Sequence, residues 1–571
     1  MSFASPFRAP MASPFRSPFG VGDAPDFELN FVSGAWDPRV THSRTSGAMQ
    51  THRDGVLDWG PENLLLQSSA LASASWGKVS VSAAVPAVTS GFSAPDGTTA
   101  ACKVDFPAVS GASAFSCVNQ LVGQAAVAHT FSIYARGVVG GEVIYLNVSP
   151  DGVTYQRTTM TLTTSWQRFT VAFTRAAMDY YCQVGVDLRD ASQTAKPAQS
   201  VYLWGARLQR GTHSYAEDDW RVQTTSAAVY HGRLHYDPVT LACLGYLNEP
   251  QRTNLVTYSQ QINTGGGWTF GPNTTQGGQL VSLLGVQAYR FTSTATSSSS
   301  ISKTISLALS TQYTITAIST AASFGTYPGL FGGITSSMVG ATGVASGSAA
   351  TITQIVPGVY LWKQTFTTDA SGNPVTIYPA PVDAPAATSW DVTAIQIEAG
   401  SFATSYIPTT SASATRAADV AVVSGAAFSA FYNSAAGTIV AEFRHNSGAS
   451  FPAVASLEDG TLNNRINLIA STSTAMRVAA RAGGVSSAEF AGSNYVLGAV
   501  GKLGISYQTD NFIGAADGAS LGTDASGAVP AVTQLSIGFQ TGGLDRTNGH
   551  IRRLRYYPRA LSQAELNALT A

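Results

Sequence analysis

This sequence is poor in charge. Asp, Glu, Lys and Arg make up 11% of the chain, against about a quarter in ordinary soluble domains, so Ser, Thr, Asn, Gln and exposed backbone must do most of the solvating. The two signs also balance, with Lys+Arg 32 against Asp+Glu 33. That leaves no basic field to draw nucleic acid or anionic lipid, and neither partner is expected. Cysteine is scarce too. Cys102, Cys117, Cys182 and Cys243 include no CxxC and have no close His pair beside them, which argues against a zinc site. They are either buried thiols or include one bridge such as Cys102 to Cys117, and four in 571 residues make no disulfide framework. No run reaches the ~18 apolar residues of a membrane helix, so no membrane insertion is expected. A basic-then-apolar leader is missing as well, so export by cell lysis rather than by the Sec route is the expectation.

What is present is a phrase said twice. Pro61-Glu62-Asn63-Leu64-Leu65 leads to Trp76, and Gln251-Arg252-Thr253-Asn254-Leu255 leads to Trp268; Asn and Trp stand 13 residues apart in the first copy and 14 in the second. The copies also end alike, since Ala206-Arg207-Leu208-Gln209-Arg210-Gly211 with Ser214-Tyr215 answers Ile395-Gln396-Ile397-Glu398-Ala399-Gly400 with Ser405-Tyr406. Two similar domains in tandem follow from this, within a chain long enough for three or four.

The text inside both copies alternates apolar and polar residues with turns between. Thr130–Ala135, Val143–Val148, Thr158–Leu162 and Trp166–Phe173 read as strands, with Ser149-Pro150-Asp151-Gly152 as a turn and Val201–Trp204 as a closing strand. Gln312–Ile318 and Val359–Phe366 take the corresponding places in the second copy. Such text predicts an all-β chain of tandem antiparallel jelly-roll sandwiches, at 61–215 and 251–410. Residues 25–60, with a hairpin signal at Asp54-Gly55, and 216–250 read as β-rich connectors. A third, unrelated β-sandwich is expected over 417–571, with strands at Gly437–Arg444, Ile466–Leu468, Met476–Val478, Leu503–Tyr507, Leu535–Phe539 and Gly549–Tyr557. Ser562 with Glu565 marks the start of a short closing helix.

Residues 1–24 form an extended N-terminal peptide that repeats Ser-Pro-Phe three times, with Phe7, Phe15 and Phe19 as knobs and Arg8 and Arg16 as cationic heads. Proline before each Phe disfavours helix. The segment is either a disordered leader or a peptide that docks its phenylalanines into a partner's pockets.

Glu249-Pro250-Gln251-Arg252-Thr253-Asn254-Leu255, Ala94-Pro95-Asp96-Gly97-Thr98-Thr99-Ala100, Trp204-Gly205-Ala206-Arg207-Leu208 and Ser405-Tyr406-Ile407-Pro408-Thr409 resemble phrases of tail-fibre and other virion structural proteins of tailed bacteriophages. Each repeated unit is similar to a carbohydrate-binding jelly-roll module. Leu554-Arg555-Tyr556-Tyr557-Pro558-Arg559-Ala560-Leu561-Ser562 resembles the end of laminin-G or concanavalin-A-like lectin domains. The resemblance implies a non-enzymatic tail fibre or receptor-binding adhesin on the outside of the virion. It also implies a homotrimer, joined to other virion proteins through its N-terminus and touching host cell-surface carbohydrate. A polysaccharide depolymerase and a purely architectural capsid or baseplate decoration are the rival readings. No cofactor is expected; calcium, which some lectin-like sandwiches bind, would have only Asp545 and Asn548 near the final strand.

Other constellations point to chemistry weakly. Trp76 and Trp268, and likewise Trp166 and Trp362, read as core rather than as sugar platforms. Gly518-Ala519-Ser520-Leu521-Gly522 matches the GxSxG pattern but lacks the strand before and helix after that a nucleophile elbow needs. Glu217-Asp218-Asp219 is the densest acidic cluster and reads as a solvated linker face before a glycosidase pair. His231 and His235 are four apart in strand-like text, which makes no helical metal pair.

Overall fold

A computed structural model describes residues 24–571 apart from 124–126, 150–154, 175–178, 190–193, 213–219, 296–298, 323–342, 373, 380–385, 447–451, 472–474, 494 and 543–545. The N-terminal Phe and Arg residues, Phe7, Arg8, Phe15, Arg16 and Phe19, lie outside the described residues, as do the turn at Pro150-Asp151-Gly152 and the Ser214-Tyr215 pair. What is described is all-β: antiparallel sheets packed as sandwiches, with no barrel. The described residues divide into two units, one over Asp58–His231 and one over Gly232–Ala571 together with residues 24–57.

Within the first unit, period-two alternation builds two five-stranded sheets, counted among the described residues. Phe131, Ile133 and Ala135 point inward from the strand Ala128–Gly137, and Ile144, Leu146 and Val148 from Val143–Ser149. Each is fully out of water, and burial of a large apolar side chain stabilises by about 1.5–3 kcal/mol. Cys102, Cys117 and Cys182 are buried free thiols and Cys243 is a half-buried one, so no bridge joins Cys102 to Cys117. Burial pushes the Cys117 thiol up to about 12, against a small pull from Arg189.

The repeated phrase owes its wording to hydrogen bonds. Asn63 Nδ2 donates to Ala206 O at 2.9 Å and Val222 O at 3.1 Å, while its Oδ1 accepts from Leu65 N and Leu208 N, both at 3.1 Å. Asn254 repeats the pattern in the second unit: Nδ2 donates to Ile395 O at 3.2 Å and Ile407 O at 2.9 Å, and Oδ1 accepts from Val256 N and Ile397 N. Ser68 and Thr224 exchange hydroxyl and amide bonds, as do Ser259 and Thr409. Trp76 Nε1 donates to Gln67 O and Trp268 Nε1 to Tyr258 O. A bulge recurs too, where Gly205 at φ 64° and Ala394 at φ 52° carry the left-handed turn of backbone that admits an extra residue. The structural counterpart of Tyr406-Ile407-Pro408-Thr409 is therefore Arg221-Val222-Gln223-Thr224, a few residues beyond the Ser-Tyr pair that the sequences align.

Among the described residues the second unit holds two sandwiches. One pairs a seven-stranded with a three-stranded sheet around Trp268, Trp362, Trp390, Phe291, Ile315 and Ile397. The other, the closing sandwich, has sheets of eight and seven strands and draws its chain from three places. Phe27–Asn30 pairs with the last strand, Gly549–Tyr557, and Thr41–Ser43 extends the opposite sheet against Val420–Ser424. Arg233–Tyr236 and Cys243–Asn248 join the eight-stranded sheet beside Gly549–Tyr557. Segments that read as connectors thus supply strands to a sandwich far along the chain. At the end Ser562 forms the expected capping box with Glu565 and starts the helix Gln563–Thr570.

Where the second repeat leaves and rejoins the closing sandwich, five ionic side chains meet out of water. Arg233 donates to Glu249 and Asp419, each at 2.7 Å, Arg44 donates to Asp419 at 2.6 Å, and Arg416 pairs with Glu249. Desolvation pushes the Glu249 carboxyl up, but Arg416 and Arg233 overcome it and hold it at about 2. Asp419 is held well below the usual carboxylate range, with Arg233 and Arg44 outweighing burial. Three guanidiniums surround two carboxylates, so each acid is more than matched, and the network fixes the entry and exit strands.

Candidate polar cleft on the closing sandwich

The seven-stranded sheet of the closing sandwich has one face in the core and one outside, and three consecutive strands decide what the outer face offers. Alternation sends Ile466, Leu468, Met476 and Val478 inward. Their neighbours Arg465, Asn467 and Ile469 on Arg465–Ser471, and Arg477, Ala479 and Arg481 on Ala475–Ala482, point the other way. With Ser486, Glu489 and Gln540 they line a cleft of about 380 Å³.

The floor is a short hydrogen-bonded chain. Ser456 Oγ donates to Asn467 Oδ1 at 2.6 Å, and Asn467 Nδ2 donates to Gln540 Oε1 at 2.5 Å. Beside them the fully buried Glu458 carboxylate accepts from Ser536 Oγ at 2.5 Å, from Thr541 N at 2.8 Å and from Gln534 Nε2 at 3.2 Å. Asn467 is 2% exposed, so the amide is set by its neighbours before any ligand arrives. Around this floor stand three arginines. Arg477 is ion-paired with Glu489. Arg465 donates to Leu462 O, and its guanidinium is held below its ordinary range, first by burial and then by repulsion from Arg481. Amides, hydroxyls and guanidiniums placed mainly on strands can take up a ligand rich in hydroxyl and oxyanion groups.

The residues singled out from sequence fall elsewhere. Trp76, Trp268 and Trp362 are core side chains with 2% exposure or less. Trp166 is not core: it is half-buried at the edge of a small cluster with Trp204, and the Arg136 guanidinium lies 5.3 Å from its ring centre. Ser520 sits within the strand Ala519–Asp524 and donates to Gln563 Oε1 at 2.9 Å, so no nucleophile elbow exists there. Glu217, Asp218 and Asp219 lie outside the described residues, as does Asp545. Asn548 Nδ2 donates to Ala403 O, and no group of three or more His, Cys, Asp or Glu that could hold a metal occurs among the described residues. His235 pairs with His550 rather than with His231, Nδ1 to Nε2 at 2.8 Å with stacked rings. The cleft itself was not foreseen. Its signal was available in the alternation of Arg465, Asn467, Ile469 and Arg477, Ala479, Arg481, where four of the six outer positions are polar or cationic.

No family model matches the chain, and no curated protein matches it in sequence. Among solved structures, the chain is similar to the CBM40 module of a Ruminococcus gnavus IT-sialidase, with TM-score 0.22 and 18% identity over 24% of this chain and 84% of that one. It is similar to the tandem CBM22-1-CBM22-2 domains of Paenibacillus barcinonensis Xyn10C, with TM-score 0.21 and 11% identity over 60% of this chain and 98% of that one. Domain 4 of AbnA, a GH43 extracellular arabinanase from Geobacillus stearothermophilus, gives TM-score 0.23 and 11% identity over 30% of this chain and 82% of that one. At these values the likenesses carry no argument about what this chain binds.

Proposed function

We propose that the chain is a carbohydrate-binding structural protein of a tailed-phage virion, an adhesin whose closing sandwich takes host-surface glycan in the polar cleft. The observation that carries the binding half is the cleft's floor, where Asn467 and Gln540 are fixed by Ser456 and by each other while the open side stays walled by arginines. A preformed array of this kind loses little side-chain freedom on meeting a sugar. The virion half rests on the phrases shared with tail-fibre proteins. Binding rather than cutting is the role supported by the carboxylates present, since Glu489 is engaged by Arg477 and Glu458 by its hydroxyl and amide donors. Affinity per site would be weak and raised by several copies on one fibre.

A glycan array probed with the full chain, with reducing ends assayed in the same wells, tests this. Retention on a defined set of glycans without release of reducing ends is the expected result. Retention on none would leave only an architectural role, and released ends would make the chain a depolymerase.

A further inference from the structure

We propose that the cleft is selective for acidic saccharides, one carboxylate or sulfate being held between the guanidinium groups of Arg465 and Arg481. The proposal rests on the reading of the cleft as a glycan site and adds the charge of the ligand. Arg465 and Arg481 are direct cross-strand partners in the pairing of Arg465–Ser471 with Ala475–Ala482, and both line the cleft. Cβ atoms of such partners stand about 4.5–5.5 Å apart, and like charges placed there repel.

Only part of that repulsion is relieved nearby, by the attraction of Glu458 for Arg465. Glu489 is taken up by Arg477. Glu458 is the partner of Arg465 on its other side, but its oxygens are turned to Ser536, Thr541 and Gln534. Arg465 spends a donor on Leu462 O, and Arg481 has neither an ion pair nor a hydrogen bond among the described residues. Several arginines elsewhere are matched with acids, as Arg210 is with Glu62, Arg290 with Asp391 and Arg233 with Glu249 and Asp419, and others, such as Arg444 and Arg546, are held by backbone carbonyls without a second arginine as cross-strand partner. An unmatched pair on an open strand face therefore costs folding energy that an incoming oxyanion would offset. Guanidinium forks suit the planar carboxylate and the sulfate group, while the Gln540 amide that Asn467 orients and the Ser486 hydroxyl remain for neighbouring hydroxyls.

Calorimetric titration of the full chain tests the charge separately from the site. The probes are an oligogalacturonate, a dextran sulfate oligosaccharide and neutral maltohexaose, each at about 50 and about 300 mM salt. We expect an acidic probe to bind, to weaken with salt, and to lose about tenfold or more in Arg481→Ala, with Arg481→Lys in between because it keeps the charge and loses the fork. Arg481→Ala should also unfold at the same temperature as the parent or a higher one when no ligand is present, since it removes the repulsion. Preference between the two acidic probes identifies carboxylate or sulfate as the anion. Acidic probes that bind Arg481→Ala as tightly as the parent, or a neutral probe that binds alone, would overturn the charge assignment and leave the glycan site standing. If none of the three binds, the charge assignment fails, and the glycan reading falls with it only when the array also retains nothing.

Discussion

Asn63 and Asn254 each satisfy four backbone groups that water cannot reach, and both are fully buried. No other side chain of that size offers two donors and a two-lone-pair acceptor in one plane. Replacing Asn254 by Ala would strand two carbonyls and two amides, and a buried polar group left unmatched costs about 1–3 kcal/mol. We expect Asn254→Ala to lose about 3 kcal/mol or more in denaturant unfolding of the full chain, and Asn254→Asp, which loses both donors, to be no better. A variant within a few tenths of the parent would show that the phrase is kept for some other reason. The arginines and acids around Arg233 belong to the same scale: Glu249 and Asp419 stay ionised in the interior because their partners are already in place.

Among elements, the strands Arg233–Tyr236 and Gly549–Tyr557 are tied by the His235–His550 contact across the strand Cys243–Asn248 that lies between them. Burial and then the Arg233 charge push His235 down to about 4, and burial and the facing His235 push His550 well below its ordinary value. A base whose folded-state value lies below its unfolded one makes the unfolded chain bind more protons, so stability rises with pH through that window. The contribution is fully present above pH 6.5, the ordinary value, and is lost as the pH falls toward about 4. The slope is at most about 1.4 kcal/mol per pH unit for each histidine. Melting of the full chain followed from pH 7.5 to about 4 should show this fall, and His235→Gln with His550→Gln should flatten it. An equal fall in the double variant would assign the acid sensitivity elsewhere.

For the whole molecule, the consequence lies in how the closing sandwich is assembled. Its sheets need Phe27–Asn30, Thr41–Ser43, Arg233–Tyr236 and Cys243–Asn248 as well as the chain after Val420. Phe27, Phe31, Leu234 and Tyr246 are part of its core. A fragment of residues 417–571 alone would expose that core and leave edges of both sheets unpaired, an arrangement prone to aggregation. We expect such a fragment to lack a cooperative unfolding transition and fixed near-ultraviolet circular dichroism, and the full chain to have both. A soluble fragment with a sharp transition would show that the early strands are accessory. Long-range pairing of this kind is also expected to fold slowly, since the loops must close before the contacts form.

Local text determined a good deal. Alternation within four to nine residues fixes which side chains enter a sheet's core, so strands such as Gly549–Tyr557 and the capping box at Ser562 were readable without coordinates. The doubled Asn-Leu phrase was readable as a repeat, though not as the hydrogen-bond pattern that explains it, because the partners Ala206 and Val222 lie more than a hundred residues away. Trp166 shows the limit of alternation: it marks a strand's start, yet the exposure of a strand's end depends on which loop packs over it. Only tertiary structure decided that the strands at 27–43 and 233–248 belong to the last sandwich, that Arg465 and Arg481 stand side by side, and that five ionic groups meet around Arg233. The physical reason is the same in each case: sequence period sets the face of a strand, while register and partner are set by whichever distant segment completes the buried surface.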